Sequence, residues 1–295
     1  MPRRIIDIHP HVIASDTARY PMAPLGGHQS NWSAERPVSW QQLLADMKEA
    51  GVDQAAIVQA STCYGYDNSY VTDAVAAAPD RFTAVGSVDA LSDDAVERIR
   101  YWQSRGMTGL RLFTTGSTMP GQATWFTDPR TAPVWTYAQE TGLPVCMQMT
   151  QDGLTDLEEI LGRFPGVKIV LDHLARPDLS GGEAFPQAQK LFDFARYPAV
   201  YLKLTVRAFE ALKAAGARPE PFFERLIAAY GANRIAWGSN HPASAGGLKA
   251  LLETAQDGLS FLPSDTLDQI FAGTALALYP ALAEAGGKRE VAARD

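Results

Sequence analysis

Cysteine is scarce in this chain: Cys63 and Cys146 are the only two among 295 residues. Two thiols cannot build a disulfide framework, and their spacing fits neither a zinc site nor a redox pair, so reducing cytosol is the simplest compartment. Cys146 lies inside an apolar strand pattern and reads as a buried thiol. Basic residues are outnumbered 33 to 26, for a net charge of −7. That balance argues against nucleic acid or an anionic membrane as the main partner, since both need a positive surface. It leaves room for an anionic small molecule in a locally positive pocket. No run approaches the roughly 18 apolar residues of a membrane span. The Met1-Pro2-Arg3-Arg4 start leads straight into Ile5-Ile6-Asp7-Ile8 without an apolar h-region, so no secretory signal is expected. Internal repeats and low-complexity tracts are missing too.

What is present is alternation. Short β-rich runs at 4–9, 54–59, 82–88, 108–113, 144–149, 167–172, 199–205 and 234–239 are predicted strands. Amphipathic, Ala/Leu-rich runs at 39–50, 68–78, 92–104, 130–141, 155–163, 185–195, 219–230, 246–257 and 265–278 are predicted helices. Gly51, Pro79, Gly106, Pro144 and Gly231 punctuate the junctions. Alternating strands and helices imply βα units and a parallel sheet. Eight units predict a closed, TIM-like (β/α)8 barrel over residues 1–285, one domain, with 286–295 as a flexible tail. An open nucleotide-binding sheet would place Gly-x-Gly after its first strand. This chain has His9-Pro10-His11 there. The polar stretch 14–38 is too long for an idle connection and is read as functional or disordered.

Four of the five histidines, His9, His11, His173 and His241, fall at or just beyond a predicted strand end. In a parallel barrel those ends form the catalytic face. Asp7, His9 and His11 share one parity, so a strand continuing to residue 11 would aim all three inward and turn Ile6 and Ile8 toward the helices. Arg111, Gln148 and Lys203 also interrupt apolar alternation, and Gln59 ends the second strand. A charge inside a barrel is costly unless it is paired or faces a wet cavity. Arg111 and Lys203 therefore either meet carboxylates such as Asp7 or Asp89 or face an anionic or carbonyl-bearing substrate. Asp172 is expected to point outward, toward Arg176. Asn240 ends the last strand facing inward. Tyr64 and Tyr66, with Trp32, are candidate lining aromatics.

The Asp7-x-His9-x-His11 motif, Val170-Leu171-Asp172-His173, Gly238-Ser239-Asn240-x-Pro242 and the late Phe271-x-Gly273-Thr274-Ala275-x-x-Leu278-Tyr279 segment together resemble the amidohydrolase superfamily. The branch most similar is the amidohydrolase-2 family, which includes 2-pyrone-4,6-dicarboxylate lactonase and sugar lactonases. The resemblance runs from Asp7 to Tyr279. Metal-dependent relatives use both histidines of the first motif, a His ending strand five, sometimes the His of strand six, and an Asp ending strand eight. His9, His11 and His173 match, but strand five ends in Met147-Gln148-Met149 and strand eight carries Asn240. Neutral amides are poor ligands for a transition metal. No tightly bound cofactor is therefore expected; the alternative is one divalent metal, zinc or manganese, on His9, His11 and His173.

The resemblance implies a hydrolase that opens a small carboxylated or hydroxylated lactone. In that scheme His9, His11 and Arg111 stabilise the oxyanion. His173 is the leading general base, with His241 as the other. Asn240 orients water, because an amide has no usable proton affinity near neutral pH. Lys203 neutralises a substrate carboxylate, and Gln148, Gln59, Tyr64 and His241 complete the binding set. The alternatives are a metal-dependent hydrolase or non-oxidative decarboxylase, a lactone isomerase, and a ligand-binding barrel without turnover. A small molecule is the expected partner, and homo-oligomerisation is common at this size.

Overall fold

The β-rich runs become eight parallel strands that lie side by side in sequence order: β1 (Ile6–Asp7), β2 (Gln54–Val58), β3 (Phe82–Gly86), β4 (Met107–Phe113), β5 (Val145–Gln148), β6 (Ile169–Asp172), β7 (Val200–Leu204) and β8 (Ile235–Trp237). The computed structural model describes residues 3–114 and 125–283; the predicted tail at 286–295 lies outside them. The seam between the β8 and β1 segments is closed by backbone bonds from Ile8 N–H to the Trp237 carbonyl at 3.2 Å and, just past the strand ends, from His11 N–H to the His241 carbonyl at 2.7 Å. The Asp7 carboxylate reinforces it, accepting from Ser239 N–H at 2.8 Å and His9 N–H at 2.9 Å. Gly238 is required at this seam, since a Cβ there would lie 2.6 Å from the Cβ of His9.

Strand residues alternate as a barrel demands. Leu110, Leu112, Val145, Met147, Ile169 and Leu171 pack outward into the helix layer. Val58, Val85, Cys146 and Val170 point inward. Each fully buried aliphatic side chain contributes roughly 1.5–3 kcal/mol of transfer free energy. Ile6 and Ile8 belong to this inner cluster, against expectation. The strand ends at Asp7 and the chain bends at Ile8. Ile8 and His9 therefore both reach the interior, and strict alternation from Asp7 to His11 does not hold.

The C-terminal segment plugs the bottom of the barrel. Predicted as one helix, it is Ser264–Asp268, a π-helical turn at Gln269–Gly273, then Thr274–Leu278. The Tyr279 ring lies where a Cβ on Gly109 would stand, 2.9 Å away. The Gln54 side chain, at the start of β2, donates to the Leu282 carbonyl at 2.9 Å. With that mouth sealed, the carboxyl ends of the strands are the open face.

The predicted helix at 185–195 is broken into short turns around Gln189–Asp193. The sequence also hides three helices. Asn31–Glu35 sits inside the long 14–38 stretch, Ser61–Tyr64 follows β2, and Val206–Ala214 follows β7. The last was masked because the apolar run of β7 enters it without a Gly or Pro break. Thr205 stands at the N-cap position yet makes no capping bond; its hydroxyl is used by His173 instead. No helix among the described residues is long and apolar enough to cross a membrane.

Candidate active site

The open face holds a cavity of about 250 Å³. That is below the roughly 300–1,000 Å³ of drug-sized pockets, so it suits a small ring. Expected residues His11, Arg111, Gln148, His173 and Asn240 all line it, and so does Trp32, delivered by the helix inside the long first loop. The Trp32 ring stacks against His11 with centroids 5.2 Å apart and a 32° tilt. Among the lining residues not assigned to the site from the sequence are Ser61 and two arginines: Arg176, named there only as a partner for Asp172, and Arg207. Arg207 lies in the first turn of the unpredicted helix Val206–Ala214.

Beneath the cavity lies a charge cluster. Asp172, fully buried, faces inward rather than outward. Its carboxylate is 2.8 Å from Lys203 Nζ and accepts from Arg111 Nε at 2.7 Å. Burial pushes this carboxyl up, but Lys203 and Arg111 outweigh it and hold it well below the usual carboxylate range. Asp172 faces inward by alternation with the inward Val170; the break in the period falls at His173 and has a local cause. From His173 to Arg176 four successive residues have positive φ, between 50° and 57°. A left-handed run costs about 1–2 kcal/mol per residue, and such strain clusters at functional sites. Here it swings His173 back over the mouth, so Asp172 and His173 both reach the interior.

Lys203 is completely buried and does not line the cavity. It neutralises Asp172 and reaches Cys146 Sγ at 3.5 Å, so it is a support for the site and not a substrate ligand. Arg111 is anchored by Asp172 on one edge and lies over the Phe113 ring at 4.5 Å. Its Nη2 stands 3.5 Å from His9 Nε2.

The histidines divide into two kinds. His9 is fully buried below the cavity, with Nδ1 3.7 Å from Asp172, too far for a hydrogen bond. Burial, then Lys203 and Arg111, keep it neutral, with its pKa held well below the ordinary imidazole range. It braces Arg111 and is not itself at the surface of the site. His11 donates Nδ1–H to the Val58 carbonyl at 2.8 Å, because a carbonyl only accepts. Its Nε2 is therefore a lone pair, and burial and Arg111 push its pKa down to about 3. Such a ring cannot donate to an oxyanion. His173 Nδ1 is 2.9 Å from the Thr205 hydroxyl. Burial drives this ring far below its ordinary value; Asp172 opposes and Arg207 adds to the shift.

Four other sequence assignments fall away from the cavity. Gln59 is buried and donates to the Asp67 carbonyl. The Tyr64 hydroxyl accepts from Ala14 N–H at 2.7 Å within the outer core, because the helix Ser61–Tyr64 turns it away. Tyr66 does not line the cavity either. His241 faces the helix Trp40–Ala50, with Nε2 3.1 Å from Asp46. Asn240 stays, its φ of 58° projecting it inward. Its Nδ2 donates to Ser244 Oγ at 2.8 Å.

Arg176 and Arg207 make no side-chain hydrogen bond or ion pair among the described residues, and the Nε of Arg176 is buried without a partner. Burial and the neighbouring Arg207 and Arg111 all disfavour the charged form of Arg176. With Arg111 they give the cavity a strongly positive wall, and no carboxylate lines it among the described residues.

Known proteins share this architecture. An L-fucono-1,5-lactonase of Burkholderia ambifaria is 27% identical over 290 residues, covering 93% of this chain and 94% of its own. A Pseudomonas putida structure described as a 2-pyrone-4,6-dicarboxylic acid hydrolase superposes with a TM-score of 0.75 at 22% identity, over 95% of this chain and 99% of that one. An amidohydrolase of Burkholderia multivorans, whose crystal structure holds zinc, gives 0.73 at 19% identity over 94% of this chain and 99% of that one. The family model described as amidohydrolase matches residues 6–281, from β1 through the segment that plugs the barrel, and the protein therefore belongs to the amidohydrolase family.

Proposed function

We propose that the protein hydrolyses a small, negatively charged lactone without a bound metal. The observation that carries this reading is the pairing of unneutralised guanidinium groups with neutral imidazoles in one small cavity. Arg111, held on one edge by Asp172, would donate from its other edge to the carbonyl oxygen. Fixed donors of this kind favour the oxyanion of the tetrahedral intermediate. His173, with Nδ1–H given to Thr205, would take a proton from water through Nε2 as the water oxygen bonds to the carbonyl carbon. Collapse breaks the ring C–O bond, and the imidazolium returns its proton to the leaving alkoxide. The product is the open hydroxy acid. Because Asn240 commits its Nδ2 to Ser244, its Oδ1 is the atom suited to accept from that water.

The donor set does not fit a divalent cation. His9 Nε2 faces the Arg111 guanidinium. The nearby carboxylate, Asp172, already serves Lys203 and Arg111. Gln148 and Asn240 offer neutral amides. A cation here would also meet the repulsion of Arg111, Arg176 and Arg207. A second reading, lactone isomerisation, is favoured by one feature: two imidazoles face the cavity with no carboxylate base beside them among the described residues. In that case a substrate hydroxyl, not water, attacks the carbonyl. Product analysis by NMR separates the two. Hydrolysis gives an open-chain acid, isomerisation gives a second lactone, and recovery of unchanged lactones across a carboxylated and hydroxylated panel would refute both.

A further inference from the structure

The cavity walls differ in hydrogen-bonding character. Arg176 and Arg207 follow β6 and β7 and only donate. Across the mouth, following β1 and β2, stand His11 and Ser61; in an eight-stranded barrel of sequential order β2 is opposite β6. His11 presents an accepting Nε2, because its Nδ1–H is given to Val58. Ser61 is 1% exposed and lines the cavity, and its Oγ has no hydrogen-bond partner. Gln148, at the end of β5, is 8% exposed, and its Oε1 is also unpartnered. Buried polar atoms are normally satisfied, so unpaired ones lining a cavity indicate what a ligand brings.

The arginines require an anion. The lone pairs of His11 and Gln148 require O–H donors, and the Ser61 hydroxyl can serve either role. A carboxylated lactone without hydroxyls would leave His11 and Gln148 unsatisfied. A neutral sugar lactone would leave Arg176 and Arg207 facing no charge. We propose that the substrate carries both features: a monolactone of a polyhydroxy dicarboxylic acid, with its free carboxylate on Arg176 and Arg207 and its hydroxyls on Ser61, Gln148 and His11. This assignment rests on the lactone reading above and narrows it to one chemical class.

The test uses three five-membered lactones: glucaro-1,4-lactone with a carboxylate and hydroxyls, galactono-1,4-lactone with hydroxyls only, and 5-oxotetrahydrofuran-2-carboxylate with a carboxylate only. Binding is measured by calorimetry and ring opening by NMR. The first ring is expected to bind at least tenfold more tightly than either other, because a missed partner leaves a buried polar group unsatisfied. Ser61→Ala should narrow the preference over the third ring about tenfold, and Arg207→Ala that over the second. Equal binding of the first ring and either other, or binding of none, overturns the assignment. Failure of the hydrolysis reading looks different: the first ring binds selectively and is recovered closed.

Discussion

Replacing Asp172 with asparagine removes the single negative charge shared by Lys203 and Arg111 inside the barrel. The amide can still accept a hydrogen bond, but two buried cations are left without a counter-charge. Breaking a buried pair by deleting one partner costs about 3–5 kcal/mol. Two pairs meet at this carboxylate, so about 4 kcal/mol is a conservative expectation for the variant. At about 2–4 °C per kcal/mol for a chain of this size, the melting temperature should fall by roughly 10 °C. Lys203→Met is the informative control. It leaves Asp172 matched one to one with Arg111 and keeps the volume filled, so it should cost less than Asp172→Asn. Function should follow the same order, because Asp172 fixes the Arg111 guanidinium. Small misplacements of a catalytic donor cost about a hundredfold, and kcat/KM should drop by at least that in Asp172→Asn. The assay is thermal unfolding by calorimetry beside steady-state lactone kinetics. A loss below about 1 kcal/mol in Asp172→Asn, or a larger loss in Lys203→Met, would refute the account of the cluster.

Acid should destabilise the fold from mildly acidic pH downward. His9, His11 and His173 are held below the ordinary imidazole range by burial. The unfolded chain gains their protons as pH drops through about 6.5 while the native state does not, so stability is lost by up to about 1.4 kcal/mol per pH unit per histidine. Asp172, depressed in the native state, adds to the loss only below about pH 4. Urea midpoints at pH 7, 6 and 5 check this, and a flat series contradicts it. For the same reason the acid limb of kcat/KM should lie below pH 6.5, since His173 must be neutral to accept a proton; a limb at 7 or above would remove His173 from that role. Gly238→Ala sets a methyl 2.6 Å from the His9 Cβ at the barrel seam. It should lower stability by about 1–3 kcal/mol, read in the same urea titration.

Much of the architecture is legible in the chain because barrel chemistry is periodic. Strand alternation identified Arg111, Gln148 and Lys203 as inward-facing, and the strand ends collected His11, His173 and Asn240. The errors arise where the period breaks. The bend at Ile8 sends both Ile8 and His9 inward, and the left-handed run from His173 to Arg176 returns His173 to the mouth beside an inward Asp172. Counting by twos from His173 therefore placed Asp172 on the wrong side. Parity gives direction but not depth. Lys203 points inward yet sits beneath the cavity, where Asp172 holds it. Arg207 was illegible because the apolar run of β7 passes into the helix that carries it without a Gly or Pro break. Tyr64 and His241 have partners, the Ala14 N–H and Asp46, supplied by segments 50 and 195 residues away. No local pattern encodes such contacts.

The most direct test of metal-independent lactone opening is turnover after metal removal. The protein is dialysed against a chelator, its metal content is measured by elemental mass spectrometry, and hydrolysis of a carboxylated, hydroxylated lactone is followed with and without added zinc or manganese. The account predicts full activity in the metal-free protein, no gain on adding either ion, and near-complete loss in His173→Ala. Activity lost on chelation and restored by one of the ions would contradict it and return His9, His11 and His173 to the role of metal ligands.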